Sequence, residues 1–326
     1  MDPYVFSASV LFILMLIIQS GIVIAFGVTI IKYQNTRTTT NYLLLNLLIS
    51  DFISSCWGSS IRLYYMYFGT HTPISCYFMV CLIRTCMYVT LMSLILVSFV
   101  RYFKVSPSRL SRTFNKPDAI CNTIMLIWLM AFLLAFVVDI DWGTVFEEGF
   151  TKGIDECHFY NVIRLKLGIF SIVVLQIGSI FVIMILNFLT LKLVNEQSKN
   201  MKNSLNHRRR DPHIWMITYF AKRHRIYITR QISLMTFILC CLNIAYVFPI
   251  VVIDLITMTD QLINRTQTLT IPSLFQGLAQ FLVILFPGMQ ATFIWRLNKP
   301  VFNKLKLKPY DLYFGASEHQ QEARTL

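Results

Sequence analysis

Long apolar runs broken by short polar or basic intervals set the pattern of this chain. Seven stretches, at roughly 5–32, 42–68, 76–103, 119–138, 165–194, 227–255 and 268–295, are long and apolar enough to cross a bilayer as helices. A spanning helix needs about 20 mainly apolar residues, because lipid offers no partner to a free backbone N–H or C=O. Each interval between the runs holds turn or charge signals, and there is no internal repeat or low-complexity tract. The pattern predicts one all-α membrane domain built as a seven-transmembrane-helix bundle. The first run starts at Val5 and continues to Ile31, with only Asp2 charged before it. A cleaved signal peptide has a basic start, a shorter apolar run and a small-residue cleavage site. The run is therefore expected to be the first span, acting as a signal-anchor.

Composition agrees with a lipid solvent: 56% of the residues are hydrophobic and 14% charged, with 26 Phe and 15 Tyr, against about 25% charged in soluble domains. The net charge of +13 does not indicate nucleic acid, because the basic residues sit in short blocks between apolar runs. Those blocks orient the chain. Lys32 and Arg37, then Arg101 to Lys116, Lys192 to Arg230, and the tail from Arg296 hold 23 of the 29 basic residues. By the positive-inside rule this face is cytoplasmic. The N-terminus is then extracellular and the tail internal, as an odd number of spans requires. One N-x-S/T sequon, Asn264-Arg265-Thr266, falls between spans six and seven on the expected outer face. It is read as a glycosylation acceptor or a chance tripeptide.

Ionisable residues inside a bilayer are expensive and often functional. Away from the span ends they are Asp51, Arg62, Arg84 and Arg101. Asp51 closes a run in which Asn41, Leu44, Leu47 and Asp51 fit N-x-x-L-x-x-L-x-x-x-D. The third span starts near Cys76 and ends Val100-Arg101-Tyr102, with Cys76 25 residues before Arg101. In both features the chain resembles the rhodopsin-like (class A) G-protein-coupled receptors, over about residues 5–308.

The resemblance implies several roles. Asp51, with Thr90 on the third span, would form the polar core that binds sodium or water in the family; the other reading is a hydrogen-bonded structural acid. Arg101 and Tyr102 would face a heterotrimeric G protein, with Val100 in place of the family's acid, or Arg101 would merely snorkel to the interface. A Cys76–Cys157 disulfide would tether the loop between spans four and five over the bundle mouth. Cys56, Cys81, Cys86, Cys121, Cys240 and Cys241 read as small packing residues. Trp128 lies where the family places a tryptophan, though simple packing would account for it. Tyr246-Val247-Phe248-Pro249 matches C-W-x-P only at its proline, which kinks the helix and suits a swinging element. Span seven departs furthest: Phe286-Pro287-Gly288-Met289-Gln290 keeps the proline of N-P-x-x-Y, whereas counting back from Asn298-Lys299 selects Gln290-Ala291. Val23 falls where the family buries an asparagine in span one.

Leu297 to Lys308 mixes apolar and basic residues, which suits a short amphipathic eighth helix on the inner membrane surface. No cysteine follows it, so no palmitoyl anchor is expected there. Residues 1–308 thus form the receptor domain and 309–326 a short cytoplasmic tail. The basic inner link with Arg208, Arg209, Arg210, Lys222, Arg223 and Arg225 meets the G protein in the family. Orientation and attraction to anionic membrane lipids explain most of its charge.

Arg62 and Arg84 lie in the outer halves of spans two and three, with Arg164 and Lys166 at the top of span five. Ile83 stands where amine receptors carry aspartate, so an amine ligand would lack its counter-ion. These residues point to an acidic ligand, such as a carboxylate or phosphate. The competing reading pairs Arg84 with Asp139 or Asp254. The loop with Asp139, Asp141, Glu147, Glu148, Asp155 and Glu156 either draws a basic peptide or is a solvated acidic surface. The few residues before Val5 favour a small molecule or short peptide over a large ligand.

A transporter or channel is the alternative class, but the spans hold few acids and no paired broken helices. No lysine occurs from Thr268 to Trp295, which excludes retinal held as a Schiff base. No H-E-x-x-H, nucleophile elbow or C-x-x-C pair suggests an enzyme or a metal site. No cofactor is expected beyond allosteric sodium. Val100 cannot pair with Arg101, and Thr229 and Arg230 replace an acid at the inner end of span six. Basal activity above that of relatives with the acidic pair is expected; weak coupling is the competing outcome. An odorant-type chemoreceptor is a further alternative within this fold.

Overall fold

The computed structural model describes residues 3–33, 38–59, 73–106, 117–140, 165–205 and 286–296, together with most of a helical stretch between 230 and 263. Helix α1 is Pro3–Lys32 and α2 is Thr39–Ser54, continued by a π-helical turn, Ser55–Ser59. Helix α3 is Pro73–Val105. Helix α4 is Pro117–Leu133 with a π-helical end, Leu134–Asp139. Helix α5 comprises Leu165–Phe170, a π-helical Ser171–Ile177, and Gly178–Leu205. The helical residues between 230 and 263 are α6, and 286–296 form α7.

Four of these helices are long and apolar enough to cross a membrane: Val10–Lys32, Cys76–Val105, Ala119–Val137 and Lys166–Asn200. The expected spans agree with the described helices to within a few residues, except that α5 continues to Leu205 and helical residues of α6 continue to Ile263, beyond the expected 255. The outer part of span two, most of span seven, the eighth helix and the tail lie outside the described residues.

Local signals fix the helix starts. Thr38, in extended backbone, accepts from the Asn41 amide at 3.3 Å and caps α2. Pro73 and Pro117 open α3 and α4, where the missing N–H is no loss.

Helix α3 is the axis of the bundle, because it contributes to every buried apolar cluster. The innermost cluster gathers Phe26 and Ile30 of α1, Leu44, Leu47 and Leu48 of α2, Leu94 of α3, Ile183 of α5, Leu239 of α6, and Ala291 and Ile294 of α7. Six helices therefore converge at one depth. Tyr88 and Val89 pack on Ile127, Ala131 and Ala135 of α4. Nearer the outer end, Cys76 and Val80 meet Ile172 of α5 and Val251 and Met258 of α6. The opposite faces stay apolar yet exposed, as at Ile17, Ile24, Met125, Leu129, Phe181 and Phe188. A soluble protein would bury such side chains, so these faces meet lipid.

Candidate functional site

Polar side chains line the interior of the bundle in three layers. In the outer layer, Cys76 is buried and disulfide-bonded. The cysteines at 56, 81, 86, 121, 240 and 241 are free thiols, while Cys157 lies outside the described residues. Arg84, only 4% exposed, reaches from α3 to the π-helical segment of α5. Its Nη2 donates to Ser171 Oγ at 3.3 Å. Its Nη1 lies 4.0 Å from Met87 Sδ, and its guanidinium sits 5.6 Å from the centre of the Tyr88 ring. A cation over an aromatic face is attracted by the ring quadrupole. The π-helical segment leads Ser171 towards α3; widened turns of this kind often mark functional positions. Ile83 is half-buried beside Arg84, and Lys166 is exposed. Arg62, Arg164 and Asn264 lie outside the described residues.

The middle layer is a ladder between antiparallel α2 and α3. Asn46 Nδ2 donates to Ser93 Oγ at 2.8 Å. One turn further out on both helices, Ser50 Oγ meets Thr90 Oγ1 at 2.9 Å. Thr90 Oγ1 donates to Asp51 Oδ1 at 2.9 Å, Ser50 Oγ donates to the Leu47 carbonyl at 2.9 Å, and either hydroxyl can act as donor in the Ser50–Thr90 pair. Asp51 Oδ2 is shut off from solvent with no hydrogen-bond partner among the described residues. Trp128 of α4 joins the ladder, its Nε1 donating to Asn46 Oδ1 at 2.8 Å. Gln290 of α7 is fully buried, and both atoms of its amide lack partners among the described residues. The next residue, Ala291, packs with Leu47 and Leu48, within a turn of Asp51.

The inner layer surrounds Arg101, which is buried near the C-terminal end of α3. Tyr102 is half-buried, its ring edge-on to Phe103 at 5.6 Å. Asn187 of α5 donates to Ser98 Oγ of α3 at 3.1 Å, to Cys240 Sγ of α6 at 3.5 Å and to the Ile183 carbonyl at 2.9 Å. Below them, Gln197 Nε2 of α5 donates to the Val105 carbonyl at 2.8 Å and closes the end of α3. Pro249 stands half-buried in α6, and Pro287 is buried in α7.

Of the residues expected from the sequence, Asp51 and Thr90 come together, and Arg84 lies buried within α3. Asn46, Ser50, Ser93, Ser98, Ser171 and Asn187 were not singled out. For Asn46, Ser50 and Ser93 a signal is present in the sequence: a polar residue within an apolar run, repeated at helical spacing (Asn46 and Ser50; Thr90 and Ser93).

Comparison with known proteins bears on the whole arrangement. The family described as "7 transmembrane receptor (rhodopsin family)" matches residues 21–286. "Opsin-1, short-wave-sensitive 2" of Danio rerio is 31% identical over 121 residues, 36% of this chain and 34% of the relative. "Neuromedin-U receptor 2" of Rattus norvegicus is 30% identical over 106 residues, 30% of this chain and 26% of the relative. The matched regions thus span about a third and about a quarter of these two proteins.

Proposed function

Because the chain belongs to the rhodopsin family of seven-transmembrane receptors, we propose that it is a G-protein-coupled receptor of the plasma membrane, N-terminus outside, for a small acidic ligand. The observation behind the ligand reading is Arg84, a guanidinium inside the outer half of the bundle, oriented by Ser171 and Tyr88. A buried guanidinium fork suits a carboxylate or phosphate. Ile83 beside it offers an amine no counter-ion. The free thiols elsewhere support Cys157 as the partner of Cys76. Asn264 is assigned as a glycan acceptor on the outer face.

The mechanism is a population shift. Ligand on the α3–α5 side of the outer cavity favours a conformer in which α6 moves out about Pro249. Arg101 is then available to the C-terminal helix of a Gα subunit. Sodium, which the family implies, fits the middle layer. Asp51 Oδ2 is buried without a partner among the described residues, the Thr90 hydroxyl donates to the carboxylate, and the Ser50 hydroxyl lies against Thr90. These three residues would hold the ion, which would supply positive charge to a carboxylate facing lipid-like surroundings.

The test is nucleotide exchange on purified Gα subunits, with the receptor in nanodiscs and a panel of acidic metabolites and lipids. An acidic agonist whose potency falls at least tenfold in Arg84→Ala and partly recovers in Arg84→Lys is expected. An acidic agonist equally potent on Arg84→Ala would overturn the ligand reading. Absence of exchange with every Gα class, together with substrate flux in liposomes, would overturn the receptor reading in favour of transport.

A further inference from the structure

The inner layer contains a junction that nothing above assigns. Three helices that must separate if α6 swings outwards are joined at one side-chain amide. The Asn187 nitrogen reaches Ser98 of α3, Cys240 of α6 and the Ile183 carbonyl of its own helix, at 3.1, 3.5 and 2.9 Å. It has two hydrogens for three acceptors, so the contacts to α3 and α6 draw on one amide group and at least two of the three acceptors share a hydrogen. Ser98 is set as an acceptor because its own hydrogen goes to the Leu94 carbonyl at 2.9 Å. All three side chains are buried, so water does not replace a lost bond.

The location matters. Ser98 is one turn from Arg101 on α3. The sequence has Val100 beside Arg101, and Thr229 and Arg230 at the inner end of span six, where relatives carry acids. Val100 packs with Leu43 and Val97, and Arg230 stands at the start of α6. Resting on the receptor reading, we infer that Asn187 is a positioning residue that fastens α6 to α3 in the resting state through Cys240 and Ser98, replacing an acid–arginine pair with a neutral amide clasp. The clasp opens when α6 carries Cys240 away. It is weaker than a charge pair, so basal activity stays above that of relatives with the acidic pair and rises further when the clasp is removed. Interhelical hydrogen bonds in membranes average about 0.6 kcal/mol, which is about a threefold shift in the resting equilibrium.

The experiment uses the full chain in nanodiscs. Asn187→Leu keeps the size and removes both donors; Cys240→Ala removes the α6 acceptor; Cys240→Ser keeps an acceptor. Spin labels at Lys199→Cys and Arg230→Cys, both exposed, with Cys56, Cys121 and Cys241 replaced by Ser, report the α5–α6 distance without any G protein. Agonist-free nucleotide exchange is measured in parallel. About a threefold gain of the long-distance population is expected in Asn187→Leu and Cys240→Ala, with Cys240→Ser close to the parent. Where the distance shifts and exchange stays silent, the clasp stands and the coupling reading fails. Unchanged distances in Asn187→Leu, or equal behaviour of Cys240→Ala and Cys240→Ser, would overturn the clasp. Loss of folding in Asn187→Leu leaves the Cys240 pair to decide.

Discussion

Trp128 on α4 donates its indole N–H to the Asn46 side-chain oxygen on α2 across 2.8 Å, while the Asn46 amide donates to Ser93 on α3 at the same distance. One asparagine thus ties three helices together through both ends of its side chain. Inside a bilayer the bundle has no hydrophobic driving force between helices, so packing and such bonds hold it.

The first prediction concerns this tie. Trp128→Phe keeps most of the ring and removes the donor; Asn46→Leu removes both ends. Each is expected to lower stability by about 0.6–1.7 kcal/mol, read as a lower melting temperature in detergent. The double variant should lose less than the two single losses together, because both remove the same bond. Strict additivity would show that the bond contributes nothing and that Trp128 is simple packing.

The second concerns the carboxylate one turn further out. If Asp51 holds sodium with Thr90 and Ser50, melting in sodium chloride should exceed melting in choline chloride. At ten times the dissociation constant the gain is about 1.4 kcal/mol. Asp51→Asn should abolish the difference and Thr90→Val should reduce it. Equal melting of the parent in the two salts would reject sodium and leave Asp51 a hydrogen-bonded structural acid.

How much of this was legible beforehand follows from the physics of each feature. The spans were, because a bilayer demands unbroken apolar length, and the boundaries of α3 at Pro73 and Val105 bracket the expected 76–103. Asp51 was legible because a carboxylate in an apolar run is rare. Asn187, Ser98 and Ser171 were not, since a neutral polar side chain in a span is common and its importance depends on what stands opposite. The π-helical segments of α2, α4 and α5 were also hidden. A widened turn leaves little mark on apolar periodicity, yet it sets where Ser171 meets Arg84.

The third prediction tests the missing acid at position 100. Val100 is 2% exposed and packs with Leu43 and Val97. An introduced carboxylate is therefore buried among apolar groups, at a cost of its own. Val100→Asp should lower agonist-free exchange about threefold or more, and should also lower the melting temperature. Val100→Asn has nearly the same shape without the charge, so it controls for polar burial. Equal exchange by the Asp and Asn variants at matched expression would mean that pairing with Arg101 is not what restrains the family's third span here.

The fourth arises where α1 and α7 approach. A Cβ placed on Gly288 would stand 3.0 Å from Met15 Sδ and 3.6 Å from Met15 Cβ. The thioether end of Met15 is flexible and can give way, so Gly288→Ala should cost little. Gly288→Leu adds bulk that reaches the stem of Met15, and over-packing of this kind costs about 1–3 kcal/mol. Met15→Ala opens the space that the introduced leucine side chain would need, so the double variant Gly288→Leu, Met15→Ala should recover much of the loss. Melting of the four proteins in detergent decides it. A Gly288→Leu variant as stable as the parent, or one that Met15→Ala fails to rescue, would show that the close approach of α1 and α7 does not fix the position of the seventh span.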